Sequence, residues 1–188
     1  MSTVKSKKLQ VGTDASASNN FTIYQPATPD GTLRIGVGNA DSPTEVGRFT
    51  SAGYKPATAP AFRAKPSSNQ TISASTFTKV LLQTEIFDTN NNFDNSTNYR
   101  FQPTVAGYYQ VNSQIHYATN GQQLVAVYKN GSYDNWGTYS VNAYGVSGSS
   151  LIYLNGSTDY LELYAYSGGG YSVNSGLTFL SAHLVQQA

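Results

Sequence analysis

The stretch Gly107–Tyr117, GYYQVNSQIHY, alternates between apolar and polar side chains. Odd-numbered positions carry mainly apolar residues such as Val111 and Ile115, and even-numbered positions carry polar ones such as Gln110 and Asn112. Because successive side chains of a β-strand point to opposite faces, this run predicts a strand with one face in a core. Its other face is expected to be polar or to meet a partner.

The composition extends this prediction to the whole chain. Charged residues make up 11% of the 188 residues, against about 25% in typical soluble domains. Asn, Ser, Thr and 17 Gly take their place, and these residues suit half-buried strands and turns. Long helical stripes of Leu, Ala, Glu and Lys are missing from the sequence, so the predicted fold class is all-β.

Residues 59–188 contain strand signals at regular spacing, with clear turns at Asn130-Gly131 and Asn155-Gly156. Many short strands at such spacing predict a β-sandwich or jelly roll. The predicted strands lie near Phe62–Lys65, Lys79–Thr84, Tyr99–Pro103, Gly107–Tyr117, Leu124–Lys129, Ser149–Leu154, Tyr160–Tyr166 and Leu177–Val185.

Residues 13–58 hold shorter apolar runs and are predicted to form a β-rich stem module. The run KLQV, at 8–11, precedes this range, and FTIY, TLRIGV and VGRF lie within it, with turn signals between the runs. Strands of this length build little core within a single chain, so the module is expected to rely on neighbouring copies. Lys55–Pro60, KPATAP, is the predicted linker, because Pro and the residue before it favour extended backbone.

Several classes of partner and chemistry are disfavoured by what the sequence lacks. It has no Cys, which excludes a disulfide framework and a thiolate metal site. It has no dense Lys/Arg face of the kind that nucleic acid requires, so nucleic acid is not the expected partner. No stretch approaches the ~20 apolar residues of a membrane span, and the first residues lack the apolar run of a secretory signal.

Neither a catalytic site nor a cofactor site is predicted. The two His residues, His116 and His183, have no acidic residue at strand-period spacing on their own faces. Gly36-Val-Gly38 starts like a dinucleotide loop but lacks the third Gly and the following helix. The ten acidic residues form no pair suited to glycoside cleavage. The protein is therefore expected not to be an enzyme.

A run of Asp and Asn after residue 87 resembles the start of a calcium loop, with oxygen ligands at alternate positions from Asp88 to Asp94. Phe93 stands where an EF-hand requires Gly, and Tyr99 where it requires Glu, so an EF-hand is excluded. Two interpretations stay open: a looser calcium site near Asp88, Asp94 or Asp134, and a plain loop rich in Asx turns.

A wider pattern is similar to a known family. The run Phe101-x5-Gly107-x-Tyr109-x-Val111 resembles the signature of the complement C1q globular-head domain, within the C1q/TNF-like jelly-roll class. PAF at 60–62, VYKNG at 127–131, SGSSLIYLNGSTDYLELYAY at 147–166 and LTFLSAHL at 177–184 match it in order, although Val111 and Leu82 stand where Phe is usual. The resemblance covers about residues 59–188 and implies a ten-stranded jelly roll that forms a homotrimer with a binding apex.

The front of the chain resembles bacteriophage structural proteins. Segments similar to GTDASASNNFTIYQPATPDGTLRIGVGNA precede a C1q-like tip in those proteins. This implies a virion protein that is assembled in the host cytoplasm, which agrees with the absence of a signal and of Cys. Residues 1–12 are then the predicted segment that anchors the protein to another virion protein of the tail or capsid, through Lys5, Lys7 and Lys8. The alternative for residues 1–8 is a solvated tail.

Most of the 15 Tyr residues follow residue 98, in two settings. Strand tyrosines are expected in the core or a subunit interface: Tyr109, Tyr117, Tyr153, Tyr164 and Tyr166. A second set of aromatics is expected in two Gly/Asn/Ser-rich loops, 130–145 and 166–176, and is predicted to bind ligand. These predicted ligand-binding residues are Tyr133, Trp136, Tyr139, Tyr144 and Tyr171.

The predicted function follows from the resemblance and the aromatic loops together. We expect a trimeric, tail-fibre-type virion component whose C1q-like tip attaches to a host-surface polysaccharide or receptor. The alternative is a capsid-decorating fibre or adaptor with a purely structural role, in which the loop aromatics only pack against a neighbouring subunit.

Overall fold

The computed structural model describes residues 6–188, apart from the side chains of Asn135 and Trp136. Its elements are β-strands and one short 3₁₀ turn, Ala17–Asn19, so the predicted all-β fold class is confirmed. The chain divides between Thr58 and Ala59 into two compact units. Within the described residues no helix is long and apolar enough to cross a lipid bilayer.

The N-terminal unit is a single antiparallel sheet in which each strand pairs with the next along the chain. Its first four strands coincide with the four apolar runs seen in the sequence. The start of the predicted linker was wrong, because Lys55 and Pro56 pair with Arg48 and Gly47 in a fifth strand. The strands are β1 Lys8–Val11, β2 Phe21–Tyr24, β3 Leu33–Val37, β4 Thr44–Thr50 and β5 Gly53–Pro56.

The C-terminal unit holds the remaining strands, of which two are very long. They are β6 Ala61–Lys65, β7 Gln70–Thr71, β8 Thr78–Lys79, β9 Thr84–Asp88, β10 Phe93–Asp94, β11 Arg100–Phe101, β12 Gly107–Lys129, β13 Ser132–Leu154, β14 Leu161–Ser167, β15 Ser172–Val173 and β16 Phe179–Gln187.

The two long strands, β12 and β13, each take part in both layers of a sandwich. The first layer has the order β9-β6-β16-β12-β13 and uses the first half of β12 with the second half of β13. The second layer pairs the second half of β12 with the first half of β13 and with β14, which in turn pairs with β8 and β11. This is the predicted jelly-roll arrangement, and its core lies between the layers.

The predicted bounds of two strands were wrong, because only part of each segment pairs in a sheet. Lys79–Thr84 was predicted as one strand, but Lys79 ends β8 in the second layer and Thr84 begins β9 in the first. The chain crosses between the layers at this point, and the buried Val80 and Leu82 lie in the crossing. In Tyr99–Pro103 only Arg100–Phe101 form a strand, since Tyr99 has a positive φ of 51° and Pro has no N–H for a sheet.

The turn predicted at Asn130-Gly131 joins β12 to β13. Both residues have positive φ, 55° and 73°, as a two-residue type I′ hairpin requires. The hairpin continues on both sides, so residues 132–145 form strand and not the loop that was predicted from their Gly, Asn and Ser content.

Candidate functional site

The alternation in Gly107–Tyr117 is confirmed, and its odd-numbered residues lie in the core. The Tyr109 hydroxyl donates a 2.7 Å hydrogen bond to the Val105 carbonyl. The Tyr117 hydroxyl lies 2.9 Å from the carbonyl oxygens of both Leu124 and Tyr166. Burial raises the pKa of Tyr109 to about 12 and that of Tyr117 further. Of the two roles expected for strand tyrosines, these two residues have the core role.

The even-numbered residues of the same strand belong to the outer face of the first layer. Tyr108 and Tyr153 pair there across β12 and β13, with ring centroids 5.5 Å apart. Leu151 beside them is 56% exposed. The Arg63 guanidinium lies 4.2 Å from the centroid of the Phe179 ring, toward the other edge. This outer face is thus rich in aromatic and amide groups.

The pairing also defines two ends of the C-terminal unit. At one end, Ala61 of the first strand pairs with His183, and the last strand residue, Gln187, pairs with Gly107. At the other end, Tyr117 pairs with Val173, about ten residues or roughly 33 Å further along β12. We call this second end the distal end, because it lies away from where the chain enters the unit.

The predicted ligand-binding residues are not all in loops. Tyr133, Tyr139 and Tyr144 lie in β13, because the long β12 supplies a partner along this segment. Only Tyr171 lies in a connection, between β14 and β15. The Trp136 side chain is outside the described part of the structure.

Two of the predicted residues contact adjacent residues of β12 at the distal end, Tyr139 at Gln122 and Tyr171 at Gly121. Gln122 Nε2 donates a 3.1 Å hydrogen bond to the Tyr139 hydroxyl. The Tyr171 ring packs over Gly121 so closely that a Cβ at that position would lie 2.6 Å from Cε2 of the ring. Gly at position 121 therefore allows the Tyr171 ring to lie against the strand.

Tyr139 also lines a groove of about 300 Å³ on the outer face of the second layer. Its wall is almost entirely apolar, with an amide at one side, and the Tyr139 side chain is half exposed. We call this site the aromatic groove; its lining residues are Phe77, Gln122, Leu124, Tyr139 and Tyr166.

Sequence reasoning missed Phe77 and assigned Tyr166 only to the strand set. Phe77 contacts Tyr166 and Tyr128, with ring centroids 5.3 and 6.0 Å apart. Tyr128 in turn stacks on Tyr164 at 3.8 Å. For the tyrosines a signal was available, since Tyr128, Tyr164 and Tyr166 occupy alternating strand positions whose side chains point outward from β12 and β14. The expectation that strand tyrosines lie in the core or a subunit interface hid it.

The other two predicted tyrosines lie outside the aromatic groove. Tyr133 follows the Asn130-Gly131 turn and meets the edge of the Tyr128 ring at 6.1 Å. Tyr144 stacks on His116 at the distal end, at 6.3 Å. The buried Nδ1 of His116 has no hydrogen-bond partner within the described residues. The structure thus places Tyr139 in the groove and Tyr171 against the core, on neighbouring residues of β12, and Tyr133 lies apart from both.

The carboxylates of Asp88 and Asp94 accept hydrogen bonds from backbone N–H groups of their own loops. The Asp88 carboxylate accepts from the N–H groups of Asn90, Asn92 and Phe93. Asp94 does the same with residues 96–98, and those backbone N–H groups hold the pKa of its carboxyl well below the usual range. Within the described residues no group of three or more His, Asp or Glu side chains could hold a metal ion. The geometry matches the loop rich in Asx turns.

The predicted anchoring lysines are only partly described. Lys5 lies outside the described residues. Lys8 begins β1 and its Nζ donates a hydrogen bond to the Ala40 carbonyl, so it holds a loop of its own unit. Lys7 precedes β1, and its carbonyl accepts from the backbone N–H of Gln25.

Comparison with known proteins identifies the fold. No family model and no curated protein matches the sequence, but solved structures do. The globular domain of zebrafish complement 1qA protein has a TM-score of 0.54 and 15% identity, over 69% of this chain and 99% of that one. Murine APRIL has 0.52 and 13%, over 68% and 100%, and Eiger TNF from S. frugiperda has 0.50 and 12%, over 69% and 93%.

The chain therefore has a C1q/TNF-like jelly-roll fold. At identities of 12–15% the likeness establishes the fold alone. What the molecule does has to be argued from its own surfaces.

Proposed function

We propose that the protein is a homotrimeric, fibre-type component of a phage virion whose C1q/TNF-like unit attaches the particle to a host-surface glycan or receptor. The observation that carries this proposal is the aromatic groove lined by Tyr139 and Tyr166 near the distal end of the unit. A tip used for attachment has to present its binding groups away from the point where the chain enters, and this groove does so.

The chemistry of the groove favours an uncharged sugar. Its lining offers aromatic and aliphatic surface from residues such as Tyr139 and Tyr166, and one amide from Gln122. No charged side chain is among its lining residues. A pyranose ring has apolar C–H faces, which stack on aromatic rings, and hydroxyls, which pair with amide and phenol groups. The same aromatic and amide composition is common in surfaces that recognise varied partners.

Self-association is proposed through the outer face of the first layer. Leu151, Tyr108 and Tyr153 are each at least 41% exposed on this face. Aromatic residues and the absence of dense charge are typical of subunit interfaces. Three copies of a weak site in one trimer, and many trimers on one particle, would raise the overall affinity through local concentration.

The N-terminus is proposed to dock onto another virion protein through residues 1–12. Lys5 and Lys7 remain the candidate contacts, since Lys8 is engaged within its own unit. Deletion of residues 1–6 together with Lys7→Ala removes both candidate contacts and should give soluble oligomers that are missing from purified particles. Incorporation at the full level would place the anchor elsewhere.

The attachment role can be tested with a matched pair of substitutions. Tyr139→Ala should lower adsorption of phage to cells about tenfold or more, since it removes one wall of the groove. Tyr133→Ala is the control, because Tyr133 lies in the same strand with similar exposure, 45% against 50%, but outside the groove. If Tyr139→Ala and Tyr171→Ala together leave adsorption unchanged, the purely structural alternative holds: a capsid-decorating fibre or adaptor.

A further inference from the structure

The two faces of the N-terminal sheet differ in what covers them. The loop after β3, residues 38–43, folds over one face. Gly38 accepts a 2.9 Å hydrogen bond from the Thr22 hydroxyl, and Pro43 packs against Gly36. The Ala40 carbonyl accepts a hydrogen bond from Lys8 Nζ, and its backbone N–H donates one to Gln10 Oε1. This face is therefore closed by the unit's own polar contacts.

Charged groups of the sheet gather on the same covered face. Arg34 lies opposite Tyr24 and Arg48 in the strand register. Its guanidinium forms salt bridges with Asp30 and Glu45. Glu45 also binds Arg48. All of these side chains lie on one side of the sheet, so the opposite side receives none of them.

The opposite face is apolar across all five strands. The strand register aligns Leu9 with Ile23 and Ile35, and Val11 with Phe21 and Val37. No Lys, Arg, Asp or Glu from the five strands points to this side. We call it the apolar stem face, and its residues are Leu9, Val11, Phe21, Ile23, Leu33, Ile35, Val37, Phe49 and Tyr54.

This face is open within the single chain. Seven of its side chains are 36–59% exposed, among them Leu9, Phe21 and Phe49. The described part of the unit contains no fully buried large hydrophobic residue, and its buried side chains are the polar Asn20 and Thr22. A sheet with one apolar face needs a second layer against that face to be stable. The unit supplies no such layer from its described residues.

Residues 1–5 are too short a segment to form that layer. Residues 1–5 span at most roughly 17 Å when fully extended. Five strands spaced about 4.8 Å apart form a sheet about 20–24 Å wide. Their sequence, MSTVK, is also largely polar. The second layer therefore has to come from elsewhere.

The size of the face limits how it can be covered. Strands of about five residues give it a length of roughly 15 Å and an area of roughly 350 Å². Two such faces in contact bury roughly 700 Å², below the ~1,200–2,000 Å² of stable interfaces. The face cannot hold two free proteins together by itself. It becomes effective once another contact has already brought the chains together, because the local concentration is then high.

We propose that the apolar stem face packs against the same face of other copies of this chain, and that their association completes the core that the N-terminal unit lacks. Two identical apolar faces without charged groups can cover each other without charge repulsion, and every copy of the chain carries one such face. The inference rests on the self-association proposed above, through the first-layer face around Leu151.

Thiol reactivity tests the inference directly, because the chain has no Cys of its own. Leu33→Cys places one thiol on the central strand of the apolar stem face. Lys55→Cys places one on the opposite face of β5 as the matched control, and both positions are exposed in the single chain. In the full-length protein the thiol at position 33 should react with a maleimide at least about tenfold more slowly than that at position 55. A bismaleimide should link Leu33→Cys chains into covalent dimers.

The outcomes separate this inference from the proposed self-association. Light scattering on the same samples reports whether chains associate at all. An oligomer whose thiols at positions 33 and 55 react equally fast overturns the inference and leaves self-association intact. Protection of position 33 without any covalent dimer also overturns it, since something other than another copy then covers the face. Leu151→Arg, expected to give monomers, should restore fast reaction at position 33; continued protection there contradicts the inference.

Discussion

The ring of Phe101 stacks on that of Phe62 in the core of the C-terminal unit, with centroids 4.3 Å apart. Phe62 stacks on its other side against Phe93 at 4.9 Å, and the edge of Tyr109 meets Phe101 at 5.7 Å. Phe62 and Phe101 are fully buried. The sequence motif Phe101-x5-Gly107-x-Tyr109 is thus a packing motif, in which short β11 and long β12 close one end of the core.

Removing the Phe101 ring from this stack should destabilise the unit strongly. Phe101→Ala is expected to lower the free energy of unfolding by about 3–5 kcal/mol, because it leaves a cavity that its aromatic neighbours Phe62 and Tyr109 cannot fill. Phe101→Leu keeps most of the volume and should cost about 1–2 kcal/mol. Urea denaturation followed by circular dichroism measures both. Equal, small losses for the two variants would contradict the packing role of the Phe101 ring.

Gly107 in the same motif should tolerate no side chain. A Cβ at this position would lie 2.3 Å from the Gln186 carbonyl oxygen and 2.7 Å from Leu184 Cδ1. Gly107→Ala is therefore expected to cost more than about 2 kcal/mol, since β16 would have to move away from β12. Gly145→Ala is the control, because its nearest contact would be 3.6 Å, to His116. Thermal melts of the two variants should differ clearly, and equal melts would refute the steric argument.

The sequence allowed the fold class to be predicted because local signals agreed with one another. The alternation from Tyr109 to Tyr117 has a single physical solution, a half-buried strand. The runs KLQV and FTIY coincide with β1 and β2, and Asn130-Gly131 is a turn that few other dipeptides make so readily. Each of these features depends on residues that are close together in the sequence.

The parts that could not be predicted depend on distant partners. Residues 132–145 have the composition of a loop, and they form strand because β12 extends beside them for the whole length. The crossing at Val80 and Leu82 is apolar like a strand, yet its residues bury themselves between layers. Phe77 reaches the aromatic groove from a segment with no signal of its own. Contacts with residues that are distant in the sequence determine the structure of all three segments.

Stability at high pH should depend on Tyr109. Burial raises its pKa to about 12, whereas an unfolded Tyr titrates near pH 10. Between these values the unfolded chain has lost the proton that the folded chain keeps, so the free energy of unfolding falls as the pH rises from about 10 to 12. This residue should account for a loss of roughly 2–3 kcal/mol over that range.

The variant Tyr109→Phe isolates this contribution. It should cost about 1 kcal/mol at neutral pH, because the Val105 carbonyl loses its donor. It should also show a shallower loss of stability between about pH 10 and pH 12, although Tyr117 still titrates in both proteins. Denaturation curves at these pH values provide the comparison. An unchanged slope would show that the Tyr109 hydroxyl is accessible to solvent.

Calcium should not stabilise the fold. The carboxylates of Asp88 and Asp94 already accept backbone N–H groups on both sides of β10, and a metal ion would have to displace these bonds. Neither millimolar calcium nor a chelator is expected to shift the melting temperature. Asp94→Ala should lower it, because three N–H groups lose their acceptor. A clear rise with calcium that Asp94→Ala abolishes would revive the looser calcium site.

The proposed trimer makes a prediction about mass and about one exposed side chain. Light scattering should give three times the chain mass of 20.2 kDa at micromolar concentration. Leu151→Arg should reduce it to the mass of one chain, because a guanidinium on the first-layer face would be buried there without a partner. Val141→Arg is the matched control, since Val141 is 66% exposed on the same strand but outside that face, and it should leave the trimer intact. A folded monomer in the unmodified protein, or a trimer that survives Leu151→Arg, would show that the first-layer face is not where the chains meet.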